Sequence, residues 1–429
     1  NVPSYNWILK PSQITDLNNL LLEIQTIINL NDSDILYVKE NFKIRSKLNR
    51  ELILKRNLTK EEIARFEVRK YRFPNSYIAE RYSRENLFPY LFSHSVGYVG
   101  NLNDDSLQEI LSLQDLSPKE TIFKYSNGFL SGKTGIENVY DQELRGFFGK
   151  KIYEVDASGR LLKEIDTIPA IDGKDIHTSL DLKSQQVAFR ELKNRRGSVV
   201  AVDISDGAIV TYLSSPSFSV NKIANGLSQN DFNELIEDKN KPFFDRAAQG
   251  RYSPASTIKP AIGLFGLENN IIDWDFTIDD PGYFELPEDG RIYRGWKKGE
   301  HGKINLQDAI IESSNTFFFS LAYKSEIEEL IKHLSYFGFG RNVCLDCFLP
   351  DNGLLPNPAW KMNTLNFGWF KGDTVNLGVG QGYMSATPLQ LAYYSAFIAN
   401  KGALNKFSFV QDDKTLPKDV FYSGNIDDK

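Results

Sequence analysis

A serine and a lysine three positions apart are the residues of this chain whose spacing most directly suggests chemistry. Ser256 and Lys259 lie in the sequence Ser-Pro-Ala-Ser-Thr-Ile-Lys-Pro, between a loop with Gly and Pro and the apolar run 261–267. This pattern predicts a loop that leads into a buried helix. Positions i and i+3 share a helical face, so the hydroxyl and the amine would face one another.

Such a pair could perform acyl transfer. A serine is a weak nucleophile unless a base takes its proton, and a lysine can be that base when burial or a helix dipole disfavours its charged form. The alternative is coincidence, because the spacing arises by chance about once in a few hundred residues. Other features of the chain must therefore support a catalytic role for Ser256 and Lys259.

A second polar cluster, Ser313-Ser314-Asn315, precedes the apolar run 316–323. Polar residues at the mouth of a buried helix could point into a cleft beside the first helix. There a second hydroxyl could relay a proton and an amide could bind a substrate amide. The alternative is an ordinary Ser or Asn helix cap.

Two glycine-containing sequences look functional but do not fit the motifs they suggest. Residues 131–135, Ser-Gly-Lys-Thr-Gly, would form a phosphate-binding loop only with glycine at position 127, which is Asn. They also spell the Lys-Thr-Gly box of serine penicilloyl enzymes, but they precede Ser256, whereas that box should follow it. The glycines of 378–382 lack the spacing of a dinucleotide site and predict tight backbone turns instead.

The candidate metal and redox residues are few. Cys344 and Cys347 are the two cysteines of the chain, which excludes a four-cysteine zinc site. We interpret them as a structural pair, either reduced or disulfide-bonded. His301 lies in a polar loop after Asp279 and Asp280, where a hydrogen-bonded loop residue is the default interpretation and a metal ligand the alternative.

Composition places the chain among ordinary globular proteins. Its 429 residues are 41% hydrophobic and 25% charged, which suggests two or three domains. The net charge of −6 and the lack of a basic run argue against nucleic acid as a partner. No run approaches the length of a transmembrane helix, and no signal peptide follows Asn1.

Local patterns predict a mixed α/β chain with a domain boundary near residue 172. Helical periodicity covers 14–30, and Thr59 with Glu62 predicts a capping box. The remaining predictions are strands at 151–155, 160–165 and 175–180, a helix from residue 181, and a hairpin of 197–203 with 208–213.

Taken together, these motifs resemble the class B penicillin-binding proteins of the elongation type. The similarity covers nearly the whole chain and includes Arg72-Phe-Pro, 94–99, 132–137, Tyr140, 143–146, 180–182, 246–250, 256–260, 296–298, 372–374, 380–383 and 386–390. It implies an elongated α+β pedestal domain at 1–172, followed by a penicillin-recognising transpeptidase domain at 173–429. That domain is an antiparallel sheet flanked by helices, and the Lys-Thr-Gly at 133–135 falls in the non-catalytic pedestal.

The resemblance implies peptidoglycan D,D-transpeptidation without a cofactor. Lys259, as the neutral amine, would take the proton of Ser256, which would attack the penultimate D-Ala carbonyl of a donor stem peptide. Ser313 would relay protons to the leaving group, and Asn315 would hold the substrate amide and Lys259. The backbone N–H of Ser256 would supply half of an oxyanion hole, and a β-lactam would acylate Ser256 by the same chemistry.

The implied partners are peptidoglycan stem peptides, β-lactam antibiotics, a SEDS-family glycan polymerase and other proteins of the elongation complex. The implied location is the periplasmic face of the inner membrane, through an N-terminal anchor that we expect to be absent from this chain. No nucleic acid is expected as a partner.

Three departures from the family pattern stand out. No Lys-Ser/Thr-Gly box follows residues 386–390, so we expect the transpeptidase domain to be incomplete at its C-terminal end and its activity to be impaired. We expect the start of the pedestal to be absent as well. Some relatives hold zinc with Asp, Asp, His and Cys, but here only Asp280 and His301 match, beside Gly295 and Ser314. We therefore expect no metal.

Two alternatives remain open on the sequence. A serine β-lactamase or β-lactam sensor shares the boxes and the fold, although it would not need the pedestal. A catalytically impaired scaffold for a glycan polymerase would explain the missing box.

Overall fold

The computed structural model describes residues 2–47, 51–101, 130–147, 149–156, 161–193, 195–227 and 229–410. The chain forms two compact units. The first contains Asn1–Ile176 and Pro216–Phe243, and the second contains His177–Ser215 and Phe244–Lys429. The sequence predicts instead a single boundary near residue 172. No helix in the described ranges combines the length and the apolar composition that a membrane span requires.

The helices of the described residues are α1 (Leu17–Gln25), α2 (Asp32–Lys47), α3 (Lys60–Arg69), α4 (Gly135–Val139), α5 (Asp141–Arg145), α6 (Leu182–Leu192), α7 (Val220–Ala224), α8 (Gln229–Glu237), α9 (Lys259–Glu268), α10 (Leu306–Ile311), α11 (Asn315–Lys324), α12 (Ile327–Tyr336), α13 (Pro358–Leu365), α14 (Lys371–Leu377) and α15 (Pro388–Ala399). Short 3₁₀ helices cover Pro11–Gln13, Lys70–Arg72 and Ala255–Ile258.

The strands are β1 (Val2–Leu9), β2 (Leu52–Lys55), β3 (Ser76–Ser83), β4 (Val99–Asn101), β5 (Leu130–Gly132), β6 (Lys150–Val155), β7 (Leu161–Ile168), β8 (Gly197–Val202), β9 (Ile209–Ser215), β10 (Ile278–Asp280), β11 (Tyr283–Glu285), β12 (Ile292–Arg294) and β13 (Gly302–Ile304). This mixture of helices and antiparallel strand pairs confirms the α/β fold class.

The first unit has its own apolar core beneath an antiparallel sheet of order β2-β1-β3. Trp7 of β1 is fully buried and packs edge-on against Phe66 of α3, with ring centroids 4.5 Å apart. The predicted capping box at Thr59 is confirmed, because Thr59 and Glu62 each accept a hydrogen bond from the other's backbone N–H. The helix predicted over 14–30 is shorter in the structure: Asp16 caps α1 at its start, and α1 ends at Gln25.

Residues 216–243 belong to the first unit although they follow β9 in the chain. The Asn221 side chain accepts a hydrogen bond from the Asn86 N–H at 2.8 Å and donates one to the Asn86 carbonyl at 2.9 Å. The rings of His94 and Phe218 meet edge to face at 5.3 Å. These contacts join residues more than a hundred positions apart, which no local pattern predicts.

The second unit contains an antiparallel hairpin of β8 and β9, as the sequence predicts. Helix α6 is fixed to this hairpin by Gln185, whose buried side chain both donates to and accepts from the backbone of Tyr212. The strand predicted at 175–180 is wrong. That segment makes isolated bonds, such as Ser179 N–H to the Phe409 carbonyl at 2.8 Å, and no ladder.

Three apolar helices form the centre of the second unit. A Cβ at Gly263 of α9 would lie 3.0 Å from the Leu306 side chain of α10. A Cβ at Gly266 would lie 2.9 Å from the Leu321 side chain of α11. Both glycines therefore let α9 approach its neighbours closely. This packing determines where the first residues of α9 and α11 lie relative to one another.

Candidate active site

Ser256 lies on a single 3₁₀ turn that leads directly into α9. Residues i and i+3 are eclipsed in a 3₁₀ helix, so Ser256 and Lys259 share a face as predicted. Ser256 is exposed, whereas Lys259 is 2% exposed. The preceding residue, Ala255, has a left-handed φ of 51°, which costs free energy and is typical of functional sites.

The amine of Lys259 donates hydrogen bonds to the second polar cluster and lies 5.4 Å from the centre of the Phe318 ring. Its Nζ lies 2.8 Å from the Ser313 carbonyl, 3.1 Å from Ser313 Oγ and 2.8 Å from Asn315 Oδ1. Within the described part of the chain, it makes no hydrogen bond to the Ser256 hydroxyl. The structure thus brings three of the four predicted site residues together around the amine.

Burial lowers the pKa of Lys259 to about 8. Desolvation disfavours the charged ammonium, as the sequence argument required. At pH 7 roughly one tenth of the protein would carry the neutral amine, which is the form that can accept a proton.

Ser313 links the lysine to the nucleophile. Its Oγ lies 3.0 Å from Ser256 Oγ, so the path from Ser256 to Lys259 passes through a second hydroxyl rather than directly. A hydroxyl can donate one hydrogen bond while it accepts another. When Lys259 is neutral, Ser313 can donate to Nζ and accept from Ser256, which makes a two-step proton path.

The local fold explains how the cluster reaches this position. Helix α10 ends at Ile311, Ser313 has a left-handed φ of 51°, and Ser314 caps α11 by accepting the Phe317 N–H at 3.1 Å. The capping interpretation of this cluster is therefore correct for Ser314. Ser313 and Asn315 flank the cap and are directed to Lys259.

A glycine loop supports the turn that carries the nucleophile. The Gly380 carbonyl accepts hydrogen bonds from the Ala255 N–H at 2.9 Å and from Ser253 Oγ at 2.6 Å. Gly380 and Gly382 have left-handed φ values of 65° and 72°, as expected for the predicted tight turns. The sequence does not indicate that this loop contacts the turn that carries the nucleophile.

Asp280 and His301, the two residues that match the zinc ligands considered above, lie side by side but do not form a zinc site. Asp280 Oδ2 lies 2.8 Å from His301 Nδ1, in an orientation that forms no hydrogen bond, and it accepts a hydrogen bond from Ser314 Oγ at 2.5 Å. Gly295 has no side chain to offer. With two ligands of four, the donor set does not fit zinc.

The other sequence candidates lie in the first unit or have a structural explanation. The Lys133 N–H donates to the Tyr98 carbonyl at 2.8 Å, beside β5 in the first unit. Cys344 and Cys347 form a disulfide, so their sulfurs are not available as thiolate ligands. Asp346 between them accepts from the backbone N–H groups of Phe409 and Val410.

Comparison with known proteins gives two family matches that cover most of the chain. Residues 197–428 match the penicillin-binding protein transpeptidase domain, and residues 1–178 match the penicillin-binding protein dimerisation domain. Peptidoglycan D,D-transpeptidase MrdA of Acinetobacter baumannii is 38% identical over 403 residues, which are 94% of this chain and 58% of that protein. The chain thus spans less than two thirds of this curated relative.

Two solved structures are similar over most of the chain. PBP2 from Helicobacter pylori, in complex with MreC, is 28% identical with a TM-score of 0.84, over 98% of this chain and 77% of that one. Pseudomonas aeruginosa PBP2 in complex with WCK 5153 is 36% identical with a TM-score of 0.68, over 79% of this chain and 68% of that one. Fold, motifs and family matches agree, and the chain belongs to the penicillin-binding proteins, with the transpeptidase and dimerisation domains of the class B type.

Proposed function

We propose that this protein is a peptidoglycan D,D-transpeptidase that works through an acyl-enzyme on Ser256. The observation that carries the proposal is the contact series from the exposed Ser256 hydroxyl through Ser313 to the buried amine of Lys259. It joins a nucleophile to a base whose pKa burial lowers to about 8. The curated relative is a transpeptidase, which supports the same reaction.

Acylation begins with proton transfer away from Ser256. Its proton passes to Ser313 Oγ while the Ser313 proton passes to the neutral Lys259. Ser256 Oγ forms a bond to the penultimate D-Ala carbonyl carbon of the donor stem peptide, and the carbonyl oxygen becomes an oxyanion. The backbone N–H of Ser256 would be one donor to that oxyanion.

Collapse of the tetrahedral intermediate breaks the bond to the terminal D-Ala. The leaving amine takes a proton from Lys259 through Ser313, which returns the base to its neutral form. An amine from a neighbouring strand then attacks the acyl-enzyme and gives its extra proton to Lys259. Ser256 departs with that proton, and a new amide bond joins the two strands.

Asn315 has two tasks in this proposal. Its Oδ1 accepts a hydrogen bond from Lys259 at 2.8 Å, which holds the amine beside Ser313. Its Nδ2 would donate to the backbone of the donor peptide. Because Asn315 is the first residue of α11, its backbone is fixed by the cap at Ser314.

The same chemistry predicts β-lactams as ligands, because a strained β-lactam carbonyl would acylate Ser256 and the acyl-enzyme would hydrolyse slowly.

We further propose that the first unit contacts a SEDS-family glycan polymerase and other proteins of the elongation complex. The Helicobacter pylori relative in complex with MreC supports an elongation role. The location we propose is the periplasmic face of the inner membrane.

The test is a reaction between a donor peptide ending in D-Ala-D-Ala and a peptide with a free side-chain amine, followed by liquid chromatography and mass spectrometry. We expect a cross-linked product and free D-Ala from the wild-type protein and neither from Ser256→Ala. Rapid hydrolysis of penicillin without cross-linking would favour a β-lactamase. Absence of product and of any covalent adduct would favour a scaffold.

A further inference from the structure

A buried carboxylate lies directly beneath the second polar cluster. Asp280, the last residue of β10, is 2% exposed, and both of its oxygens accept hydrogen bonds. Oδ1 accepts from the Gly282 N–H at 2.7 Å, and Oδ2 accepts from Ser314 Oγ at 2.5 Å. Burial alone would raise the pKa of Asp280, but hydrogen bonds, chiefly that from Ser314, and the adjacent His301 keep it below the ordinary value.

The hydroxyl of Ser314 makes two bonds with different consequences. It accepts the Phe317 N–H at 3.1 Å, which caps α11, and it donates to Asp280, which ties the start of α11 to β10. Helix capping requires only the accepted bond. The side chain of Asn357 at the start of α13, for comparison, caps by accepting the Trp360 N–H at 2.7 Å.

The neighbours of Ser314 in the chain are the residues that contact Lys259. Ser313 presents its carbonyl and hydroxyl to the amine while it holds a left-handed φ of 51°, and Asn315 presents Oδ1. A residue in that conformation persists only when surrounding contacts hold it there. Ser314 is fully buried, and its bond to Asp280 supplies such a contact.

We propose that Asp280 is a positioning residue for the reaction of Ser256. Through the Ser314 hydroxyl it fixes the backbone at 313–315, so that Ser313 and Asn315 stay within hydrogen-bond distance of Lys259. This inference rests on the proposed function.

The test compares Asp280→Asn and Ser314→Ala with Asn357→Ala, a matched control that loses a helix cap elsewhere in the second unit. Stopped-flow mixing with a chromogenic cephalosporin gives the dissociation constant of the first complex and the rate constant of acylation. We expect the acylation rate constant to fall at least about tenfold in both variants, because displacements on the order of 1 Å are costly in rate. The dissociation constant should change less than about threefold, and Asn357→Ala should acylate like the wild type.

A variant that retains the hydroxyl distinguishes loss of the hydrogen bond to Asp280 from a general loss of folding. Ser314→Thr keeps the donor to Asp280 and should recover acylation to within about threefold of the wild type, whereas Ser314→Ala should not. If Asp280→Asn and Ser314→Ala fold and acylate at the wild-type rate, the proposal is wrong. If Asp280→Asn and Ser314→Ala fail to fold, the test rests on Ser314→Thr. A folded Ser314→Thr protein that acylates at least about tenfold more slowly than the wild type would also contradict the positioning role of Asp280.

A second readout does not depend on acylation. In protein labelled with ¹³C-lysine, the Lys259 Cε resonance should shift in Asp280→Asn and remain unchanged in Asn357→Ala. An unshifted resonance in folded Asp280→Asn would contradict the positioning role. If the Lys259 resonance shifts in Asp280→Asn but the wild-type protein does not acylate, the proposed function is wrong and the positioning inference is supported.

Discussion

At the scale of single residues, the site depends on a lysine whose side chain is buried away from water. Lys259 is 2% exposed, and its amine lies among two oxygens of Ser313 and one of Asn315. These acceptors allow the ammonium to be buried, while desolvation lowers its pKa to about 8. The result is an amine that is available as a base close to neutral pH.

The lowered pKa predicts the pH dependence of acylation. The neutral fraction of Lys259 rises as the pH passes upward through about 8, so the acylation rate constant should rise about tenfold between pH 7 and pH 9. The measurement is stopped-flow acylation by a chromogenic cephalosporin, with Ser256→Ala to correct for hydrolysis in buffer. A profile that is flat or falls over this range would exclude Lys259 as the base.

The relay position of Ser313 gives a second prediction. Because Ser313 Oγ lies 3.0 Å from Ser256 and 3.1 Å from Lys259, Ser313→Ala should slow acylation by about 10²–10³-fold. The control is Ser335→Ala on α12, whose hydroxyl donates to the Lys332 carbonyl at 2.7 Å. A Ser313→Ala protein that acylates like Ser335→Ala would show that Lys259 takes the proton directly.

At the scale of elements, two helix starts and one loop form the site. The glycines of α9 let it pack closely against α10 and α11, and the Gly380 carbonyl fixes the turn before Ser256 through Ala255 and Ser253. The sequence predicts α9 from the apolar run that follows a Gly- and Pro-containing loop, and α11 from its apolar run and its cap. Their mutual placement depends on contacts far apart in the chain, which local patterns do not contain.

Gly380→Ala should disturb this loop. A Cβ there would lie 2.4 Å from the Ala255 carbonyl oxygen, so the turn that carries Ser256 would have to move. We expect acylation to slow at least about tenfold, with a loss of free energy of unfolding above about 1–2 kcal/mol, since left-handed φ disfavours a side chain. Urea unfolding and stopped-flow acylation measure the two effects.

Gly382→Ala is the matched control for Gly380→Ala. It has a similar left-handed φ of 72°, but its Cβ would meet nothing nearer than the Asn376 side chain at 3.2 Å. It should lose about 1–2 kcal/mol of stability and keep acylation within about threefold of the wild type. Equal acylation by both variants would argue against a role for the Gly380 contact.

At the scale of the whole molecule, the sequence predicts what is local or carried by motifs. The capping box at Thr59, the β8–β9 hairpin and the pair Ser256 and Lys259 all follow from spacing within a few residues. Three features do not: the membership of 216–243 in the first unit, the relay through Ser313, and the bond from Ser314 to Asp280. Each of these is a tertiary contact, and the strand predicted at 175–180 failed because no neighbouring strand pairs with it within the described residues.

The central claim is that Ser256 is the nucleophile of an acyl-transfer enzyme. It is tested most directly by mixing the protein with benzylpenicillin, measuring the intact mass, and locating the adduct by tandem mass spectrometry of the peptides. We predict one penicilloyl group per chain, on Ser256, and none in Ser256→Ala. An adduct on another residue, or an unmodified wild-type protein, would contradict the claim.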